Sequence, residues 1–264
     1  MKIVVFIKEI PLSNNIKIDP KTNNMIRSNE QGRINPYDLH AIEAALQLKE
    51  KYGGTVSLIT MGPDSFKMSL REGLAMGCDD GTLLSSRAFA GSDTLATAYT
   101  LAQAVRKMGQ VDVMLFGLKA IDADTGQVGP LVSEELNVPL ITAVNKIISC
   151  DENNKTIDVS RISDDSIELI RSRFPIVLTV DDSINTPRYV IPKLVKHIMN
   201  QDIIVYNEID LDCDASRIGM NGSRTVVKNT YVSDKPNRKV TMLTGSVQEA
   251  ASQLIRILQE KHLS

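Results

Sequence analysis

Apolar residues follow two alternating rhythms along the first half of the chain. Residues 2–8 (KIVVFIK) are a short β-branched run bounded by Pro11, the pattern of a buried strand. Over residues 38–51, Leu39, Ile42 and Leu46 fall at helical spacing with Ala41 and Ala45 between them. Glu43, Lys49, Glu50 and Lys51 supply the polar face, and Gly53-Gly54 stops the helix. The alternation then repeats. Strands are predicted at 55–60, 81–84 and 111–116, with helices at 65–76, 93–108 and from Gly129 or Pro130 to Leu136. Asp93 is the predicted N-cap of the third helix, and Gly77 and Gly109 are stops.

Strands and helices alternating at this spacing predict an α/β fold, a doubly wound and mainly parallel sheet with helices on both faces. Ligands of such sheets sit outside the carboxyl ends of the strands, near a switch in strand order. After residue 143 the rhythm changes. Short runs at 144–148, 156–160 and 167–171, joined by DENNK and SDDS, predict an added antiparallel hairpin before a last core strand at 176–180. Residues 202–246, which include the SDKPNRK turn, have too little periodicity to build a core and read as an arm lying on something else. An amphipathic helix is predicted at 247–261. The expected division is an α/β domain over 1–200 and a C-terminal arm with terminal helix over 201–264.

Composition narrows the chemistry. Thirty Lys+Arg against thirty-two Asp+Glu give a formal net charge of −2, which removes the global attraction of a general nucleic-acid binder. No stretch approaches the roughly 20 apolar residues of a membrane span. The VVFI run near the start is too short for a signal-peptide core, and Lys8 and Glu9 interrupt it, so a cytoplasmic protein is expected. Cys78, Cys150 and Cys213 form no C-x-x-C, and His40, His197 and His262 are equally scattered. Neither a disulfide framework, a metal site nor a catalytic base is indicated. G-x-G-x-x-G, the P-loop, G-x-S-x-G and H-E-x-x-H are all absent. Loops able to cradle a nucleotide, without acid–base machinery, point to holding a cofactor rather than to proton chemistry.

The strongest local signal is FGLKAIDADTGQVGP, residues 116–130. A strand ends at Gly117, a polar loop follows, and a helix opens near Gly129, aiming unpaired backbone N–H groups at one point. Gly126 and Gly129 permit close approach, and Thr125 and Gln127 can donate hydrogen bonds. Asp122 and Asp124 are unsuited to touching phosphate; one of them is expected to cap the helix, tie the loop or meet a ribose hydroxyl. On spacing alone the same residues also make an Asp-capped turn with no ligand. A second candidate, residues 87–98, joins Arg87 to a helix opened by Gly91, Ser92, Asp93 and Thr94; it reads equally as a simple capping turn. Asn35-Pro36-Tyr37-Asp38 and Met61-Gly62-Pro63 are each ordinary turns in isolation.

Taken together, VVFIKEIP, IDPKTN, NPYD, MGP, LAMGCD, SDTLAT, AIDADTGQVGP and TPRY resemble the β subunit of electron-transfer flavoproteins over most of residues 1–200. The resemblance implies a universal-stress-like architecture, an α-subunit partner, and an adenine nucleotide held by this chain: AMP in ordinary members, a second FAD in electron-bifurcating ones. By that resemblance Phe6, Asn35, Pro36, Tyr37, Asp38, Met61 and Gly62 line the adenosine. Gly117, Lys119, Ala120, Ile121, Asp122, Asp124, Thr125, Gly126, Gln127 and Val128 form the phosphate loop.

RAFAGSDTLAT is closer to the bifurcating subgroup, which implies FAD, with Asp93, Thr94, Ala96 and Thr97 toward the flavin; Arg87 is a further cofactor-binding candidate, able to reach an anion. NADH would then donate a hydride, and ferredoxin or flavodoxin would be a low-potential acceptor. Residues 187–199 resemble a loop that docks onto a flavin-dependent dehydrogenase of acyl-CoA or 2-hydroxy acid type, with Arg188, Tyr189 and Ile191 in contact; the segment also reads as a Pro-bounded loop packed on its own domain. One departure is Arg161-Ile162, where many members carry Arg-Glu. A universal-stress-type adenine-nucleotide-binding module is the alternative reading, although its usual glycine-rich phosphate loop is not evident; an adenylating enzyme would need a glycine/serine loop near the first strand, which Ile10-Pro11-Leu12-Ser13 does not supply.

Overall fold

The computed structural model describes residues 1–12, 17–18, 25–26, 32–198, 201–226, 228 and 240–261. Ser13, residues 19–23, Met199, the SDKPNRK turn and His262 lie outside the described residues. Two compact units are present, Met1–Lys228 and Asn229–Ser264.

The first unit opens with β1 (Lys2–Phe6), β2 (Glu9–Ile10), β3 (Lys17–Ile18), β4 (Met25–Ile26) and β5 (Arg33–Ile34). The alternating part follows: α1 (Pro36–Tyr52), β6 (Thr55–Met61), α2 (Lys67–Met76), β7 (Asp80–Leu84), α3 (Thr94–Met108), β8 (Val113–Gly117) and α4 (Val128–Leu136). Next come β9 (Leu140–Asp151), β10 (Thr156–Ile162), β11 (Ile167–Arg173) and β12 (Ile176–Val180). The unit closes with α5 (Pro192–Ile198), β13 (Ile204–Tyr206) and α6 (Gly219–Gly222).

Nine strands form one sheet in the order β11-β10-β9-β12-β8-β1-β6-β7-β13. Its pairings are parallel except β9 with β10 and β10 with β11, so the antiparallel hairpin extends one edge of a parallel sheet. Strand alternation divides the core in two. Ile3 and Val5 of β1 pack with Leu58, Val113 and Leu115 under α1 and α2. Val4 and Phe6 pack with Ile59, Met114 and Phe116 under α3 and α4. The sheet is thus doubly wound. From β1 the chain builds outward through β6 and β7, then returns to place β8 on the other side of β1. The switch in strand order therefore falls between β1 and β8, and their carboxyl ends define the crevice where a ligand belongs.

The sequence starts the arm at residue 201, but residues 204–206 pair with β7 as the ninth strand. Leu211 and Ile218 are buried in the α3/α4 core, so the arm lies on this chain's own sheet and helices as far as residue 228. Its few apolar residues build no core of their own because they complete one formed by residues a hundred positions earlier. In the second unit, α7 (Val247–Glu260) opens on a capping box between Ser246 and Glu249 and leaves Val247, Leu254 and Ile255 exposed.

Candidate functional site

A cavity of about 840 Å³ opens at the carboxyl ends of β1, β6, β7 and β8. This is in the upper part of the roughly 300–1,000 Å³ range of small-molecule sites. Phe6, Ile59, Met61, Leu84 and Phe116 make its apolar floor, with Phe6 and Phe116 stacked at 4.1 Å between ring centroids.

Asn35 and Asp38 hold the crevice in shape. The Asp38 carboxylate accepts hydrogen bonds from the Lys8 amide (2.7 Å), the Gly117 amide (3.2 Å) and Asn35 Nδ2 (3.0 Å), which joins the ends of β1 and β8. Asn35 also donates from Nδ2 to Lys119 O (2.9 Å) and accepts at Oδ1 from the Ile121 amide (3.2 Å), which fixes the start of the loop. Burial pushes the Asp38 carboxyl up to about 7, against the downward pull of these hydrogen bonds. Gly117 is required beside it: a Cβ there would run into the Asp38 carboxylate and the Tyr37 backbone.

Residues 118–127 cross one side of the cavity. Gln127 is the N-cap of α4 and makes no side-chain capping bond, so neither aspartate caps this helix. Both tie the loop instead. Asp122 accepts from Lys8 Nζ at 2.7 Å, and Asp124 pairs with Lys119 Nζ at 2.9 Å. Among the described residues, none accepts a hydrogen bond from the backbone amides of Thr125 to Gly129. Gly126 turns the chain there with φ +61°. Thr94 Oγ1 donates to Gln127 Oε1 (2.9 Å), which joins the openings of α3 and α4.

The opposite wall is residues 85–94, between β7 and α3. Arg87 lines it and has no ion-pair partner among the described residues. Asp93 caps α3, Oδ1 accepting from the Leu95 and Ala96 amides, both at 3.0 Å. Burial raises its pKa, but hydrogen bonds from Ala96, Thr225 and Arg224 outweigh that and hold it below the ordinary carboxylate value.

A model of the electron transfer flavoprotein domain matches residues 22–207. This chain belongs to the electron transfer flavoprotein family. It is similar over its whole length, at 40% identity, to the electron transfer flavoprotein subunit beta of Thermoanaerobacterium thermosaccharolyticum, all of which it covers. It is also 40% identical to the caffeyl-CoA reductase-Etf complex subunit CarD of Acetobacterium woodii, again over the full length of both. Protein FixA of Azorhizobium caulinodans is 38% identical over 97% of this chain and 92% of its own. The chain is an electron transfer flavoprotein β subunit.

In this β subunit the cavity gathers Phe6, Asn35, Asp38, Met61, Gly62, Arg87, Asp93, Thr94 and Thr97. It also gathers Gly117, Lys119, Ala120, Thr125, Gly126, Gln127 and Val128. Pro36, Tyr37, Ala96, Ile121, Asp122 and Asp124 do not line it. Pro36 and Tyr37 open α1, and Ala96 is wholly buried within α3. Ile121 is exposed. Ser85 and Ser86 line the wall but escape sequence reasoning, because a serine pair after a strand carries no distinctive pattern.

The docking segment divides by residue. Arg188 is committed to α1: its Nε donates to Glu43 (2.7 Å) and its guanidinium also meets Glu50 (2.5 Å). Tyr189 is 94% exposed, and Ile191 39%. The departure at Ile162 leaves Arg161 facing Glu168 across the hairpin, at 3.7 Å. Burial pushes the thiols of Cys78 and Cys150 up to about 12 and that of Cys213 to about 11, environments that suppress thiolate chemistry. Among the described residues, no group of three or more His, Cys, Asp or Glu could hold a metal ion, and no helix is long and apolar enough to cross a membrane.

Proposed function

We propose that this β subunit binds FAD in the 840 Å³ cavity and, paired with an α subunit, takes electrons from NADH in the cytoplasm. The observation that carries the reading is the row of five backbone amides, Thr125 to Gly129, that have no acceptor among the described residues at the opening of α4. Amides left free at a helix N-terminus suit phosphate oxygens. The donor set fits a dinucleotide: peptide amides and Gly126 on one side, the apolar floor of Phe6 and Phe116 beneath, and Arg87 with Ser86 on the far wall.

A bound FAD would supply the hydride and one-electron chemistry that links NADH to the α-subunit flavin and to ferredoxin or flavodoxin. The residues of this chain do the rest. Gly126 and its neighbours would hold the phosphates, Asn35 and Asp38 join the strand ends, and Phe6 and Phe116 would close the apolar floor beneath the bound group. Arg87 would supply positive charge from the wall. Tyr189 and Ile191 are the contacts offered to a flavin-dependent dehydrogenase of acyl-CoA or 2-hydroxy acid type, and α7, with Val247, Leu254 and Ile255 exposed, packs on the α subunit.

The relative named for a caffeyl-CoA reductase-Etf complex supports an assembly with a CoA-ester dehydrogenase. Nucleotide extraction from the co-expressed subunits tests the proposal. Two FAD per αβ pair is expected; one FAD with one AMP would make the cavity a structural AMP site and remove bifurcation.

A further inference from the structure

The wall that carries Arg87 is backed by the arm. The Ser85 amide donates to Tyr206 O (2.9 Å). Ser223 Oγ donates toward Gly91 O (3.0 Å) and Gly219 O (2.8 Å) and accepts from the Asp93 amide (2.8 Å). Two glycines with positive φ let the layers touch. A Cβ on Gly91 would strike Met220, and one on Gly219 would strike Ala88 O.

Asp93 is the joint between the layers. Its Oδ1 caps α3, whose first turn faces the cavity. Its Oδ2 accepts from the Arg224 amide (2.7 Å), the Thr225 amide (3.0 Å) and Thr225 Oγ1 (3.1 Å). One carboxylate is thereby shared between the cavity and the arm, three residues before the first unit ends at Lys228.

We propose that residues 206–225 form a coupling strap, with Asp93 as the positioning residue that makes nucleotide binding in the cavity and seating of the arm reinforce each other. If the arm lifts, Oδ2 loses three donors and the wall loses its backing, so the carboxylate is freed to turn and the α3 opening slackens. Conversely, a guest pressed against residues 86–94 holds Asp93 in the orientation the arm needs. The inference rests on the reading of the cavity as a nucleotide site.

Hydrogen exchange on the full-length chain with its α partner tests it, with FAD and AMP as the probes. Bound nucleotide should slow exchange at the Arg224 and Thr225 amides about 10-fold, within the ~5–150-fold span of ordinary site couplings. The double variant Ser223→Ala, Thr225→Pro should weaken nucleotide binding by a similar factor, because coupling is reciprocal. Thr225→Ser, which keeps both donors, should bind as the wild type does. Wild-type protein that binds nucleotide with no change in exchange at 224–225 overturns the strap while leaving the cavity reading intact. Wild-type protein that binds neither FAD nor AMP overturns both. Should the double variant fail to assemble, wild-type exchange decides alone.

Discussion

Phe6 at the end of β1 and Phe116 near the end of β8 stack within 3° of parallel, so the two strands that flank the switch in strand order share one aromatic floor. Each ring is also part of the α3/α4 core. The cavity floor and the hydrophobic core are the same side chains.

Phe116→Ala should therefore damage both. Removing a buried phenylalanine costs about 3–5 kcal/mol. The denaturation midpoint should fall, and nucleotide retention should fall with it. Normal retention in a protein of lowered midpoint would show that the ring supports only the core.

Gly126→Val separates loop from core. The backbone at 126 has φ +61°, and a Cβ would lie 3.3 Å from Leu118 O. A β-branched residue is strained there by about 1–3 kcal/mol. The loop lies outside the core, so circular dichroism should be unchanged while β-bound nucleotide is lost. Full nucleotide content in this variant would place the site elsewhere.

The Asp38 carboxyl predicts a pH dependence of known sign. Burial raises it to about 7 in the folded chain, whereas an unfolded Asp titrates near 3.9. Between those values the native state holds a proton that the unfolded chain has released. Stability from this group is fully present below about 4 and is lost as pH rises through about 7. Asp38→Asn, which cannot titrate, should flatten that slope while setting one amide N–H against the Gly117 or Lys8 amide, at about 1–3 kcal/mol. Denaturation midpoints measured from pH 4.5 to 8 check this; parallel slopes in the two proteins would contradict it.

On the docking segment, stability and coupling should part company. Arg188→Ala leaves buried Glu43 without its guanidinium and should cost about 1–3 kcal/mol, less than a fully buried pair because Arg188 is partly exposed. Tyr189→Ala should leave stability within ~0.5 kcal/mol. It and Ile191→Ala should slow electron transfer with a dehydrogenase without removing flavin. Unaltered coupling rates would remove both from the docking surface.

Local pattern revealed the strands, the helices, the Asp93 cap and the position of the cavity, because each follows from periodicity or from a residue beside its own helix. Other features depend on partners far apart in the chain. Lys8 meets Asp122 across 114 positions, Asp93 meets Thr225 across 132, and β13 finds its place only against β7. Nothing in the sequence around Asp122 or Asp124 foretells that lysines claim them. The free amides of 125–129 follow from the same local geometry that made the loop ambiguous; the lysine pairs, which turn both aspartates from the cavity, are what the structure adds.

Those two lysine–aspartate pairs set the electrical character of the cavity mouth. With Lys8 and Lys119 neutralised by the loop's own acids, a phosphate entering there meets oriented peptide dipoles rather than mobile ammonium groups. Added electrolyte screens exposed charges far more than dipoles packed around a guest, so a nucleotide held as proposed should stay bound at ionic strengths that would strip an anion from a cluster of surface lysines.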